Sequence, residues 1–129
     1  LGAEHIAEQL GENIKQVFKT IVMHGDKTGK FVCVVPGDAE IDLKKAASVS
    51  GNKKCATLPL KELLPTTGYI RGGCSPIGMK KQFPTYIDES AKNFEQIYVS
   101  AGIRGMQVKL SPKDLANETK ADFCDLIME

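Results

Sequence analysis

The chain has 129 residues, which is the length of one domain with one hydrophobic core. With 42% hydrophobic and 26% charged residues, 12 Gly and 6 Pro, it is not a collagen, a coiled coil or a low-complexity chain, and no apolar run approaches the ~20 residues of a membrane span. Because 17 basic residues face 16 acidic ones, overall charge would not hold a nucleic acid, although a local basic patch could.

The predicted elements are short and alternate irregularly between helix and strand. Apolar residues at helical spacing predict helices, and runs of β-branched and aromatic residues predict strands. In chain order they are a helix over 3–10, strands over 17–23 and 31–35 joined as a hairpin by the turn 24–30, a helix over 42–50, a strand over 54–58, a helical turn over 60–64 ended by Pro65, a glycine-rich segment over 68–78, strands over 85–88, 96–100 and 106–110, and a helix from Ser111.

This pattern indicates the fold class. The helices are too short and the strand spacing is too uneven for repeated βαβ units. We therefore expect one domain over residues 1–129 with an α+β fold. Its sheet is expected to be mixed, mostly antiparallel and barrel-like, with short helices around it.

The four cysteines, Cys33, Cys55, Cys74 and Cys124, contain no CxxC pair, and neither histidine lies at ligand spacing from a cysteine. We therefore expect no metal and no other cofactor. The even count allows two disulfides, but no secretion signal is visible. A cytoplasmic protein with reduced thiols is the simpler interpretation.

Common catalytic motifs are incomplete in this chain. Residues 25–30 have one residue too few for a P-loop, and in residues 73–78 the second glycine of a nucleophile elbow comes one position late. A Ser-His-Asp triad would have to recruit His5 or His24, which are predicted in a terminal helix and in a turn. No convincing pair of nucleophile and base emerges.

Lys19 is the most informative single residue. Strand alternation places it between Val17 and Ile21 on an apolar face. Either its side chain reaches water at a sheet edge, or its ammonium lies at the floor of a cleft and binds an anion such as a phosphate or an ester oxygen. The residue pattern favours neither interpretation.

Other segments also allow both a structural and a functional interpretation. The glycine-rich segment 69–78 is either a tight connection or a loop whose backbone N–H groups bind an oxyanion. Lys80 and Lys81 follow it and could meet a phosphate backbone, or could simply be solvated. Ser100 ends a strand, where its hydroxyl could face a cleft or form a turn, and Asp88 ends another, where it could simply cap the next turn.

Taken together and in order, several of these segments resemble the YbaK/EbsC family. Its members are free-standing relatives of the editing domain inserted in bacterial prolyl-tRNA synthetase, and they hydrolyse mischarged aminoacyl-tRNA. The lysine context and the Ser-Pro-x-Gly-x-Lys-Lys segment are similar to the Cys-tRNA(Pro) deacylases, whereas alanine-specific relatives usually carry Asn where this chain has Thr20. The similarity runs from about Ala3 to Leu115, over the segments 16–20, 42–45, 68–69, 72–81, 84–90 and 98–105.

The resemblance implies a role for individual residues. Lys19 would hold the phosphate or ribose end of the acceptor strand, Gly73 would orient the ester carbonyl, and Ser100 would line the amino-acid pocket. The other substrate contacts expected are Thr20, Ser75, Pro76, Gly102 and Asp88. Contacts with the tRNA are expected from Lys44, Lys45, Lys80 and Lys81.

The mechanism implied by the resemblance is substrate-assisted. The thiol of the bound cysteine attacks its own ester carbonyl and releases tRNA together with a cyclic thiolactone. The expected partner is the acceptor end of tRNA(Pro), with prolyl-tRNA synthetase as a candidate helper because a domain of net charge +1 should bind tRNA weakly. No membrane partner is expected.

Two alternatives stay open on the sequence. One is a non-catalytic module that binds tRNA or a synthetase, and the other is a deacylase for another small amino acid such as alanine. Family members usually carry a further segment before the position of Leu1, including an aromatic residue of the pocket and a first strand. A chain without that segment would have an incomplete pocket.

Overall fold

The structure is a computed structural model, and it describes residues 2–129 of the chain. Two short 3-10 helices accompany the regular elements, at Ile14–Gln16 and Glu89–Asn93. The helices are α1 (Ala3–Leu10), α2 (Leu43–Val49), α3 (Leu60–Thr67) and α4 (Pro112–Thr119). The strands are β1 (Phe18–Gly25), β2 (Gly29–Pro36), β3 (Cys55–Thr57), β4 (Thr85–Asp88), β5 (Ile97–Ser100), β6 (Gln107–Leu110) and β7 (Asp122–Cys124).

The predicted hairpin is the longest pairing in the structure. Strands β1 and β2 are antiparallel from the pair Phe18 and Pro36 to the pair Gly25 and Gly29. The side chain of Asn52 holds the turn, because its Oδ1 accepts from the N–H groups of Lys27 and Thr28 at 2.9 and 2.8 Å. Local strand propensity and a side chain from a distant loop therefore stabilise the same turn.

The sheet is mixed, as expected, but it is not closed. Its order is β3-β1-β2-β4-β7, with β1 antiparallel to β2 and β3, and with β4 parallel to β2 and β7. The antiparallel pair β5–β6 forms a separate ribbon, joined to the sheet by an isolated bridge between Val17 and Tyr98. The barrel-like expectation was wrong in this respect, because the three-residue strands β3 and β7 are the two edges and the ribbon lies beside β1 instead of closing the sheet.

Both faces of the sheet are covered by apolar side chains. On β2, Val32 and Val34 belong to one buried cluster, together with residues of the β5–β6 ribbon and α4. The alternate residues Phe31, Cys33 and Val35 belong to a second cluster, with Ala46 of α2 and Leu126 near the C-terminus. Burial on both faces explains why Phe31–Val35 is an uninterrupted apolar run.

The boundaries of α1 agree with the sequence prediction, but those of α3 do not. Pro65 does not end α3, which continues to Thr67 and stops at Gly68 in a left-handed conformation. The carbonyl that Pro65 leaves without a partner belongs to Lys61, which is exposed, so water can satisfy it. Strand β7 was not predicted. Among the described residues no helix is both long and apolar enough to cross a membrane.

Candidate functional site

A cleft of about 150 Å³ lies at the start of β1. It is bordered by α1, by the glycine-rich loop after α3 and by the end of β5. Besides apolar residues, it is lined by Lys19, Thr20, Gly72, Cys74, Ser100 and Gln107. Three residues predicted to form the site therefore meet at one place: the adjacent Lys19 and Thr20, and Ser100, which is distant in sequence.

The ammonium group of Lys19 is held by a backbone carbonyl. Lys19 is half-buried on β1, and its Nζ donates a 2.7 Å hydrogen bond to the carbonyl oxygen of Ala39. A carbonyl fixes the position of the side chain but does not neutralise its charge. The positive charge is therefore positioned and remains available to an anion.

The two hydroxyl groups of the cleft differ in their partners. Ser100 Oγ accepts from the N–H of Gly102 at 3.2 Å, which leaves its own proton free to be donated. Thr20 Oγ1 is buried and has no hydrogen-bond partner among residues 2–129. An unsatisfied buried hydroxyl costs about 1–3 kcal/mol, so a ligand that supplies its partner recovers that free energy.

Gly73 lies behind the surface of the cleft. Its N–H donates to the carbonyl oxygen of Ile70 at 3.0 Å, within the loop. A Cβ at this position would lie 3.1 Å from the backbone nitrogen of Arg104, so a larger residue would have to push the loop away from the β5–β6 turn. The expected contact between Gly73 and an ester carbonyl stays a prediction. A Cβ at Gly102 would lie 2.9 Å from the ring of Tyr69, so this glycine also packs closely on its neighbour.

Cys74 is a cleft residue that the sequence reasoning missed. Burial raises the pKa of its thiol to about 11, so the group is neutral at physiological pH. The neighbouring Ser75 and Pro76 are buried, and Ser75 Oγ accepts from the N–H of Ile77 at 3.1 Å, which shapes the turn. The position of Cys74 next to Gly73 was the signal that could have identified it.

Asp88 is not brought to the cleft. It is 1% exposed and binds two backbone N–H groups: Oδ2 accepts from Ser90 at 3.1 Å and Oδ1 from Leu126 at 2.9 Å. The first bond caps the 3-10 helix Glu89–Asn93, and the second fixes the chain after β7. These hydrogen bonds correspond to the cap, which was one of the two roles that the sequence allowed for Asp88; the other was a substrate contact.

The four predicted tRNA contacts lie on two different elements. Lys44 is exposed on α2, whereas Lys45 on the same helix forms a 2.9 Å ion pair with Asp125. The hydrogen bond with Asp125 also raises the pKa of Lys45. Lys80 and Lys81 are exposed after the glycine-rich loop. The charge of Lys45 is therefore partly compensated within the protein.

Two of the segments that border the cleft carry exposed basic residues, which together we call the basic surface. Residues 63–87 and 97–110 contain none of the 16 acidic residues of the chain but five of its 17 basic ones. Within it, Arg104 Nη2 donates to the carbonyl oxygen of Arg71 at 3.1 Å, which links the glycine-rich loop to the β5–β6 turn. This basic surface consists of Arg71, Lys80, Lys81, Arg104 and Lys109.

No other chemistry is built into the cleft. None of its lining residues is a histidine, an aspartate or a glutamate. Within residues 2–129, no group of three or more His, Cys, Asp or Glu side chains is placed to hold a metal ion. All four cysteines are free in the structure, so the two disulfides that their number would allow are not formed.

Known proteins resemble this chain in sequence and in fold. The chain is 56% identical to the "Putative Cys-tRNA(Pro)/Cys-tRNA(Cys) deacylase EbsC" of Enterococcus faecalis over 98% of this chain and 77% of the relative. It is 28% identical to the proline–tRNA ligase of Fervidobacterium nodosum over 71% of this chain and 16% of the ligase. The crystal structure of a "putative trans-editing enzyme for prolyl tRNA synthetase" superimposes with a TM-score of 0.90 at 27% identity, covering 98% of this chain and 80% of the other.

The resemblance seen in the sequence motifs is thereby confirmed, and so is the α+β fold that it implied. The family model of the aminoacyl-tRNA editing domain matches residues 2–118, which include every residue of the cleft and of the basic surface. The chain belongs to the aminoacyl-tRNA editing domain family.

Proposed function

We propose that this protein is a trans-editing deacylase that removes cysteine from mischarged Cys-tRNA(Pro). The observation that carries the proposal is the cleft, which brings an ammonium, two hydroxyls and a neutral thiol together without an acidic or histidine side chain. Such a site can bind and orient an ester but offers no conventional nucleophile and base. The name of the 56% identical relative from Enterococcus faecalis supports the choice of cysteine as the amino acid.

In the proposed mechanism the substrate supplies the nucleophile. The sulfur of the cysteinyl group attacks its own carbonyl carbon, a C–S bond forms, and the bond to the ribose oxygen of the tRNA breaks. The thiol proton ends on that leaving oxygen, and the products are free tRNA and a cyclic thiolactone. Well-oriented intramolecular reactions reach effective molarities of about 10⁵–10⁸ M, so positioning alone can supply much of the rate.

Each polar group of the cleft has a place in this mechanism. The Lys19 ammonium binds the phosphate or ribose oxygens next to the ester, where its positive charge offsets developing negative charge. The unsatisfied Thr20 hydroxyl and the free proton of Ser100 bind polar atoms of the aminoacyl group. The cleft volume of about 150 Å³ suits a small side chain.

The partner we propose is the acceptor end of tRNA(Pro), bound through the basic surface. Its five exposed cations can contact phosphates even though the whole chain carries a net charge of +1. Because the net charge is small, we expect weak binding of tRNA alone and help from prolyl-tRNA synthetase. The proposed place of action is the cytoplasm. Lys45 would make at most a secondary contribution, since it is paired with Asp125.

The test is deacylation of tRNA(Pro) charged in turn with Cys, Ser, Ala and Pro. We expect fast loss of the Cys ester alone, because Ser replaces the thiol with a hydroxyl and Ala lacks both. Equal loss of the Ala ester would keep a deacylase but refute the thiol mechanism. Binding of uncharged tRNA(Pro) with no ester cleaved would favour the non-catalytic module.

A further inference from the structure

A second groove, of about 370 Å³, lies beside the cleft along β1. Its walls come from β1, from the end of β3 and from α3, and they are mainly apolar, with Leu58, Leu60 and Leu63 among them. Arg71 of the glycine-rich loop also lines it. Neither the sequence motifs nor the mechanism above assigns it a role.

The groove exists because β3 covers only part of the edge of β1. The two strands pair from Met23 to Gly25, and one further hydrogen bond joins the N–H of Leu58 to the carbonyl oxygen of Val22. Beyond that point the chain leaves β1 to enter α3, so the segment 20–22 forms an open floor. The groove is therefore a fixed feature of the sheet edge.

The groove and the cleft are continuous. Thr20 lines both, while Lys19 lines the cleft and Ile21 lines the groove. At about 3.3 Å per residue, Lys19 and Ile21 are roughly 7 Å apart along the strand. A ligand whose ester is in the cleft therefore has its adjoining group at the groove.

We infer that this groove binds the 3′-terminal adenosine of the tRNA, with its base between the apolar walls and its phosphate near Arg71. The inference rests on the proposed function, which places the aminoacyl ester in the cleft. The terminal nucleoside is the group directly attached to that ester. A nucleobase offers an apolar face, and the guanidinium group of Arg71 provides a cation where the adjoining phosphate emerges.

Helix α3 provides a matched pair of variants. Leu60 lines the groove and Leu64 does not, yet both are leucines of α3 that are 57% and 52% exposed. Substitution of either by glutamine replaces an apolar side chain with a polar one and keeps a good helix former. Because both side chains are exposed, neither variant is expected to unfold the protein.

The test has a binding arm and a kinetic arm. Adenosine 5′-monophosphate is titrated into the wild-type protein, and we expect amide chemical-shift changes at residues 20–22, 57–58, 60–63 and 71. Leu60→Gln should weaken this binding and raise the KM for Cys-tRNA(Pro) about tenfold, as should Arg71→Gln, whereas Leu64→Gln should leave both as in the wild type.

The two arms separate failure of the inference from failure of the proposed function. Shift changes confined to another surface, or equal KM values for Leu60→Gln and Leu64→Gln, would overturn the groove as the adenosine site. A wild-type protein that binds the nucleotide at the groove but cleaves no ester would refute the deacylase while keeping the nucleoside site.

Discussion

Removal of the Asp88 carboxylate should unfold the C-terminal part of the structure more readily than it alters the chemistry of the cleft. In Asp88→Ala the N–H groups of Ser90 and Leu126 lose their acceptors, and Leu126 is fully buried. An unsatisfied buried donor costs about 1–3 kcal/mol. Two donors, one of them close to water, give a loss of about 3 kcal/mol in the free energy of unfolding.

Thermal and urea unfolding measure this loss directly. For a domain of this size about 1 kcal/mol corresponds to roughly 4 °C in Tm, so Asp88→Ala should melt about 12 °C lower than the wild type. Glu89→Ala is the control, because Glu89 is the next residue and is exposed. Its change should stay within about 0.5 kcal/mol. Amide exchange at Leu126 should accelerate only in the Asp88 variant.

The same variant decides between the two interpretations of Asp88. A substrate contact predicts an unchanged Tm and a raised KM for Cys-tRNA(Pro), and that result would refute the structural role. A structural role predicts that any loss of activity follows the unfolded fraction and is recovered on cooling.

Three further outcomes are expected. Lys19→Met should lower kcat/KM for Cys-tRNA(Pro) about 100-fold with an intact circular dichroism spectrum, and full activity would contradict the role of Lys19 in the cleft. Gly73→Ala should lower both Tm and kcat/KM, because the new Cβ would lie 3.1 Å from the backbone nitrogen of Arg104; Gly2→Ala, where the nearest contact is 3.9 Å, is the neutral control. Burial raises the pKa of Cys74 to about 11, so the folded state favours the neutral thiol, and its contribution to stability should decline as pH rises from about 9 towards 11. Urea titrations across that pH range should show a smaller decline in the free energy of unfolding for Cys74→Ala than for the wild type. An equal decline in both proteins would refute the raised pKa of Cys74.

The local sequence pattern was enough to predict most helices and strands. It was insufficient where contacts with distant residues determine the structure. The β1–β2 hairpin was predictable because strand propensity and turn glycines act over neighbouring residues. Pro65 was wrongly placed at a helix end, because its exposed position, which lets water satisfy the carbonyl of Lys61, is set by how α3 packs. That the sheet is open could also not be predicted, because the sequence of each strand does not show which strands lie at the edges.

By itself, the sequence determined the α+β class, the hairpin with Lys19 on one of its strands, and the ordered motifs that identify the editing-domain family. These features depend on residue spacing along the chain. Only the tertiary structure decided that Cys74 lines the cleft, that Asp88 is buried and holds Leu126, and that an apolar groove continues the cleft along β1. Those features depend on contacts between segments far apart in sequence, which no local pattern encodes.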